Sequence, residues 1–433
     1  MLSTAAVSAQ TGGAPWTTPT QAEVDAIYPD IEALYIDLHR NPELGFQETQ
    51  TAAKLAARTR ALGFDVTTGV GRTGIVAVMK NGPGPTVMLR TELDALPVEE
   101  QTALPFASTV VVKNASGQSI PVMHACGHDI HMSSWAGTAR LMAEHRDRWH
   151  GTLIMVGQPA EETGAGASAM LKDGLFTRFP RPDFALSLHD DDTLPAGTIG
   201  YHPGFFRAMS DAVTITVYGR GGHAAMPHST IDPVVLAARI VLTLQTVVSR
   251  ENNPVDPVVV TVGSIHGGTA GNIIPDEVRL QLSVRTYTPE VRTRTLAAIR
   301  RVVKGEAVAA GATREPLVDA PAVASTAPVY NDPALTLRLA AALKKGLGES
   351  SVVEMPQKMT SEDFVEYGLA GVPSALLHIG AVDPVKLAAA RQSGIPGPAP
   401  HSPQWAPQYE PTLKAGIRAE VTALLELFQA SPR

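Results

Sequence analysis

Two stretches of this chain alternate short β-rich runs with helix-patterned segments, and that alternation restricts the fold more than any other feature of the sequence. From 23 to 61 the apolar spacing predicts two helices, split near Asn41-Pro42, because proline cannot continue a helix and biases its predecessor away from helical geometry. β-rich runs follow at 74–80 and 86–90, joined by the turn sequence Asn81-Gly82-Pro83-Gly84. A helix is expected over 131–146 and a further β-rich run at 152–157. Strands alternating with helices are buried on both faces, so the expected fold class is α/β with a mainly parallel sheet.

A second unit separates between 207 and 319. Its order is strand 211–218, helix 231–248, strands 258–265 and 278–285, helix 289–310 and a last strand near 316–318. That split βαβ order fits a ferredoxin-like α+β unit, one sheet covered by two helices. It interrupts a larger domain made of 20–206 and 320–433, whose last part returns to mixed α/β and ends on an amphipathic helix over 411–428. The Pro/Gly/Ala-rich stretch 388–400 reads as a loop.

Composition removes several function classes. Lys+Arg number 35 against 42 Asp+Glu, a net charge of -7, so no basic surface is expected for nucleic-acid phosphates. No apolar run approaches the ~20 residues of a membrane helix; 234–248 is broken by Arg239. The lone cysteine, Cys126, excludes an intrachain disulfide. Before Gln10, the tail Ala6-Val7-Ser8-Ala9 resembles a signal-peptidase site without a full leader. A trimmed leader there means a periplasmic or secreted protein; otherwise the location is cytoplasmic.

The chemistry gathers at strand ends. His124-Ala-Cys126-Gly-His128-Asp129-Ile-His131 packs three imidazoles, a thiol and an acid just before a predicted helix, ligand types that suit zinc and its neighbours. Taken alone, it also reads as a buried free cysteine beside loop histidines. Gln158-Pro-Ala-Glu161-Glu162 follows an apolar strand, where open α/β sheets place their sites. Adjacent carboxylates diverge, so one can hold a metal while the other takes a proton from an activated water; the plainer reading is a solvated acidic loop. His189 ends the apolar run 184–188, and His401 sits on the proline-flanked turn Pro400-His401-Ser402-Pro403.

Taken in order, His39-Arg-Asn-Pro-Glu43, Arg90-Thr-Glu-Leu-Asp94-Ala-Leu-Pro97, His124-Ala-Cys126-Gly-His128-Asp129, Gln158-Pro-Ala-Glu161-Glu162, Gly222-His223, Asn272-Ile-Ile-Pro275, Ser361-Glu-Asp-Phe364 and His401-Ser402 resemble the dinuclear-metal aminoacylase and carboxypeptidase family of metallopeptidases. The resemblance is closest to hippurate hydrolases and auxin amino-acid conjugate hydrolases, and it runs from about residue 25 to 430. It implies that Cys126, His128, Glu162, His189 and His401 ligate two divalent metals (Zn, Mn, Co or Ni), the thiolate shared between them. Glu161 is then the general base, and Asp94 a carboxylate that fixes a ligand.

The same resemblance makes the inserted unit a lid and dimerisation domain. Its His223 would reach a partner subunit's site and polarise the scissile carbonyl, while Asn272 and Arg285 hold the substrate carboxylate; a guanidinium fork suits that task. The implied partners are a small amide or peptide substrate and a second copy of the chain, in a homodimer or higher homo-oligomer, with neither nucleic acid nor membrane. The implied reaction is metal-dependent hydrolysis of N-acyl-amino acids or short peptides to a carboxylic acid and a free amino acid.

Two positions depart from the family. Asp190, Asp191 and Asp192 follow His189 where apolar or aromatic residues are common, and they read as a solvated turn. His378 stands in Leu377-His378-Ile379-Gly380 where another residue type is usual, and it reads as a core histidine. Two alternatives compete with the metallohydrolase: a cysteine hydrolase using Cys126 with His128 or His124, and a non-catalytic binding protein on the same fold. The first lacks a third, orienting residue, and the second would be expected to have lost Glu161.

Overall fold

A computed structural model describes residues 16–113, 116–322 and 324–429. The signal-like tail at 6–9 lies outside these residues. Contacts divide the chain into two units. One comprises the described residues of Met1–Tyr201, Ala334–Glu354 and Val372–Arg433, the other those of His202–Pro333 and Met355–Gly371. By these contacts the inserted stretch runs from His202 to Pro333, and the segment Met355–Gly371 groups with it.

The first unit is built on an eight-stranded sheet of β1 (Asp65–Val70), β2 (Gly74–Asn81), β3 (Thr86–Glu92), β4 (Gly151–Gln158), β5 (Phe184–Pro195), β6 (Ile199–Tyr201), β7 (Val352–Glu354) and β8 (Ser374–Val382). The spatial order is β1-β2-β4-β3-β5-β8-β6-β7. Its centre, β4-β3-β5-β8, is parallel; β2 and β6 pair antiparallel with its two sides, β1 pairs antiparallel with β2, and β7 pairs parallel with β6. The central strands read as almost continuous apolar runs because both faces are covered.

The helices α1 (Gln21–Arg40), α2 (Thr49–Ala61), α3 (His128–Glu144) and α4 (Tyr409–Phe428) bring Ile31, Leu38, Leu55, Trp135, Ile417 and Leu424 into one core with sheet residues such as Leu89, Leu153 and Leu186. Each such side chain contributes roughly 1.5–3 kcal/mol by leaving water. Helix α1 starts at a capping box between Thr20 and Glu23 and stops before Pro42, as the sequence predicts. Two local expectations change. β5 runs on through Asp190–Asp192 instead of turning there, and a helix over Pro384–Ser393 takes the first part of the expected 388–400 loop.

In the second unit four antiparallel strands lie in the order Val259–His266, Glu277–Thr286, Met209–Tyr218, Leu317–Asp319. With the helices Pro233–Thr246 and Pro289–Ala309 this is the ferredoxin-like arrangement. Strand Glu277–Thr286 alternates exposed and buried positions, so Val278, Leu280, Leu282 and Val284 face the helices. The apolar stretch Pro233–Glu251 is long and apolar enough to cross a membrane by length and composition. Here Leu236, Ala237, Ile240, Leu244 and Val247 are buried in the core of this unit.

Candidate metal centre

Each functional side chain in the first unit is placed by a strand end or a helix start. Asp94 follows β3, Glu161 and Glu162 follow β4, His189 lies in β5, and Cys126-Gly127 leads into α3 at His128. Gly127 must be glycine. Its φ is +69°, and a Cβ there would come within 2.2 Å of the Asp190 carboxylate. The turn after β4 passes through Ala160 at φ +49°, whose amide donates to Glu48 at 2.8 Å. His401 also has a positive φ, +71°, and its amide is pinned to the Ala125 carbonyl at 2.7 Å, which ties the imidazole to the turn carrying Cys126.

Two sets of ligand atoms result. Cys126, His128 and His189 form one, and Cys126, Glu162 and His401 the other, the atoms of each set lying within 4.8 Å of one another. The sulfur is common to both. Cys126 Sγ lies 3.7 Å from His189 Nε2, His128 Nε2 lies 3.8 Å from Glu162 Oε1, and His401 Nε2 lies 3.4 Å from Glu162 Oε2. The separations within the two sets, 3.7 and 3.4 Å, match donors around one tetrahedral ion, which sit about 3.3–3.8 Å apart for bonds of ~2.0–2.3 Å. His128 Nε2 and Glu162 Oε1 are buried with no hydrogen-bond partner among the described residues. Orphaned buried acceptors of this kind, in a thiol, imidazole and carboxylate set, fit divalent metal.

The surrounding shell fixes these atoms. His128 Nδ1 donates to the Asp94 carbonyl at 2.7 Å, which leaves Nε2 as the ligand atom, and His189 Nδ1 donates to the Asp190 carbonyl at 2.8 Å with the same result. The Asp94 carboxylate accepts from the amides of Glu161 (3.1 Å) and Glu162 (3.0 Å), so one buried side chain sets the backbone of both glutamates. Burial raises the pKa of Glu162, but the hydrogen bond from His401 and the charge of His128 outweigh it and hold the carboxyl below its ordinary range. Burial works against a proton on His128, yet Asp94, Glu92 and Glu162 push its pKa up to about 10. Glu161 is buried, with Oε2 4.0 Å from His128 Nε2, beside the ligand set without belonging to either triad.

Behind the centre, Arg90 pairs with Glu92, Glu92 accepts from His131 Nδ1 at 3.0 Å, and the Asp190 amide donates to His131 Nε2 at 2.7 Å. Trp405 donates to Asp190 at 2.9 Å and so anchors the segment after His401. The solvated-turn reading of the aspartate run fails for Asp190 and Asp191, both fully buried. Glu48 gave no sequence signal of its own, and although His131 and Glu92 lie inside quoted motifs, their pairing was not readable because it joins residues distant in the chain.

His223, Asn272 and Arg285 all lie in the second unit. Gly222-His223 pairs with Ile273–Ile274, and the Ala224 amide donates to the Asn272 carbonyl at 3.1 Å, so His223 and Asn272 are neighbours. The Ala225 amide donates to His223 Nδ1 at 3.0 Å, which places the ring proton on Nε2 of an exposed imidazole. Arg285 lies on the strand Glu277–Thr286. It donates to Ser283 Oγ at 3.1 Å and to Ser361 Oγ at 2.8 Å. Burial lowers its pKa, and among the described residues no carboxylate pairs with it.

The family model described as peptidase family M20/M25/M40 matches residues 88–393. An N-acetyl-L-cysteine deacetylase of Bacillus subtilis is 33% identical over 79% of this chain and 78% of its own length. Thermostable carboxypeptidase 2 of Saccharolobus solfataricus is 34% identical over 79% of this chain and 84% of its own. The crystal structure of the Bacillus subtilis YXEP protein, a dinuclear metal binding peptidase from the M20 family, superposes with a TM-score of 0.72 at 29% identity, covering 92% of this chain and 98% of that one.

Proposed function

The chain belongs to peptidase family M20/M25/M40 and is a metal-dependent hydrolase of amide bonds, and from that premise we propose how its own residues divide the work and which substrates they select. The observation that carries the reading is the pair of ligand triads sharing Cys126, with Glu161 beside them. Cys126, His128, Glu162, His189 and His401 would hold the two ions. When bound, the ions supply Lewis acidity to the attacking water and to the scissile carbonyl.

Glu161 takes the proton of the attacking water as its oxygen bonds to the acyl carbon, then delivers that proton to the departing amine nitrogen as the C–N bond breaks. Asp94 holds the Glu161 amide and so limits where that carboxylate can point. In the dimer inferred below, His223 of one copy, protonated on Nε2, would donate to the oxyanion in the site of the other. Arg285, with no acidic partner among the described residues, and Asn272 bind the carboxylate of the amino-acid half.

The substrates are N-acyl-amino acids or short peptides with a free α-carboxylate, and the products a carboxylic acid and a free amino acid. Zinc, manganese, cobalt and nickel all suit the donors. The assembly we infer is a homodimer through the second unit, supported by the exposed Val235, Leu242 and Ile265 on its helix and edge strand. Comparing N-acyl-amino acids and dipeptides with their α-carboxamides tests the substrate reading. Turnover with low KM is expected for the carboxylates only, and equal KM for both series would contradict it.

A further inference from the structure

The two departures from the family pattern, Asp191 and His378, meet each other. β5 and β8 are parallel neighbours in a register that sets His378 opposite His189 and Gly380 opposite Asp191. Side chains two apart share a sheet face, so His189, Asp191 and His378 stand together on one face. His378 Nδ1 and the Asp191 carboxylate are 2.7 Å apart, and both side chains are fully buried. Asp191 is itself held by the amide (2.7 Å) and hydroxyl (2.5 Å) of Thr193. The His378 ring lies 5.7 Å from the His189 ring at an interplanar angle of 26°, a stacked arrangement, while His131 covers the same ring at 4.6 Å and 52°.

His189 is thus bracketed. Its Nδ1 is fixed by the Asp190 carbonyl, its ring by an imidazole that Asp191 prevents from turning. We propose that the Asp191–His378 pair is a positioning device, which locks the ring of His189 so that Nε2 faces Cys126. The pair thereby sets the affinity and ligand field of the metal that His189 holds. Supports of this kind around ligand imidazoles carry ~10–100-fold in metal affinity. The inference rests on His189 being a ligand and adds what holds it.

The test uses the full chain stripped of metal and titrated with cobalt(II), read by binding isotherm and by the visible ligand-field spectrum, with thermal unfolding of the metal-free protein as the fold control. In His378→Ala and Asp191→Ala, one of the two cobalt ions is expected to bind about 10–100-fold more weakly, with its absorption band shifted and the other ion unaffected. The double variant is expected to match His378→Ala, because both residues act through one ring. His378→Phe restores a ring against His189 without the buried vacancy but loses the bond to Asp191, and is expected to recover only part of the lost affinity. It also serves if the alanine variants fold poorly. Wild-type affinity and spectrum for both ions in these variants, with only the unfolding temperature lowered, would overturn the proposal. His189→Ala separates this outcome from failure of the ligand reading. Loss of one ion there with unchanged His378→Ala overturns the pair alone, and retention of both ions overturns the pair and the ligand assignment together.

Discussion

At the residue scale the centre depends on small groups that fix larger ones. Asp94 accepts from two successive amides and its carbonyl from a ligand imidazole, so three functional side chains share one support. Glu161 is the group whose chemistry is separable from metal binding. Glu161→Gln is expected to lower kcat by ~10²–10⁴-fold while metal content and unfolding temperature stay at wild-type values. A loss below about tenfold would remove the general-base role. Gly127→Ala meets both an αL backbone and the Asp190 carboxylate, and its metal content measured after purification should fall well below that of the wild type. The ligand types were legible because thiol, imidazole and paired glutamates fall at strand ends within short motifs. The aspartate run was not. Three successive acids look solvated until the register of β8 supplies His378, 187 residues away, as the partner of Asp191.

At the scale of elements, α4 carries a buried acid whose behaviour has a definite sign. Glu420 accepts from Thr138 at 2.6 Å inside the packing of α3 against α4, and burial pushes its pKa up to about 8. The folded chain therefore binds a proton that the unfolded chain releases near pH 4.5. That contribution to stability is fully present below the unfolded value and is lost as pH rises through about 8. Glu420→Gln keeps the shape without the charge. Its denaturation midpoint should exceed that of the wild type at pH 9, with the gap closing toward pH 5, and a constant gap across this range would contradict the assignment. Helix α1 offers a simpler case, since Thr20→Ala breaks a capping box and should cost about 1 kcal/mol in chemical denaturation. Helix periods and proline breaks made α1 and α2 readable. The edge strand β1, mostly exposed or half-buried, lacks the apolar run that marks the central strands.

For the whole molecule, the order of strands and helices was enough to separate an α/β unit from a ferredoxin-like one, because each carries its own periodicity. Membership of the segment Met355–Gly371 was not readable, since backbone bonds between Lys358 or Thr360 and Phe206 or Ala208, and side-chain bonds from Arg285 and Tyr287, join it to residues distant in the chain. That attachment explains the Ser361-Glu-Asp-Phe364 motif in part. Ser361 reaches Arg285 within the second unit, so Ser361→Ala is expected to raise KM for carboxylate substrates several-fold while kcat and metal content hold. In the proposed reading two metals, held by the residues around Cys126, carry the amide hydrolysis. Turnover of N-acyl-amino acids measured before chelation, after it, and after metal is restored tests this reading: activity is expected to vanish with the chelator and to return as two equivalents of divalent metal bind. Full activity in the chelated protein, or no turnover of any acyl-amino acid or dipeptide with both ions restored, would contradict it.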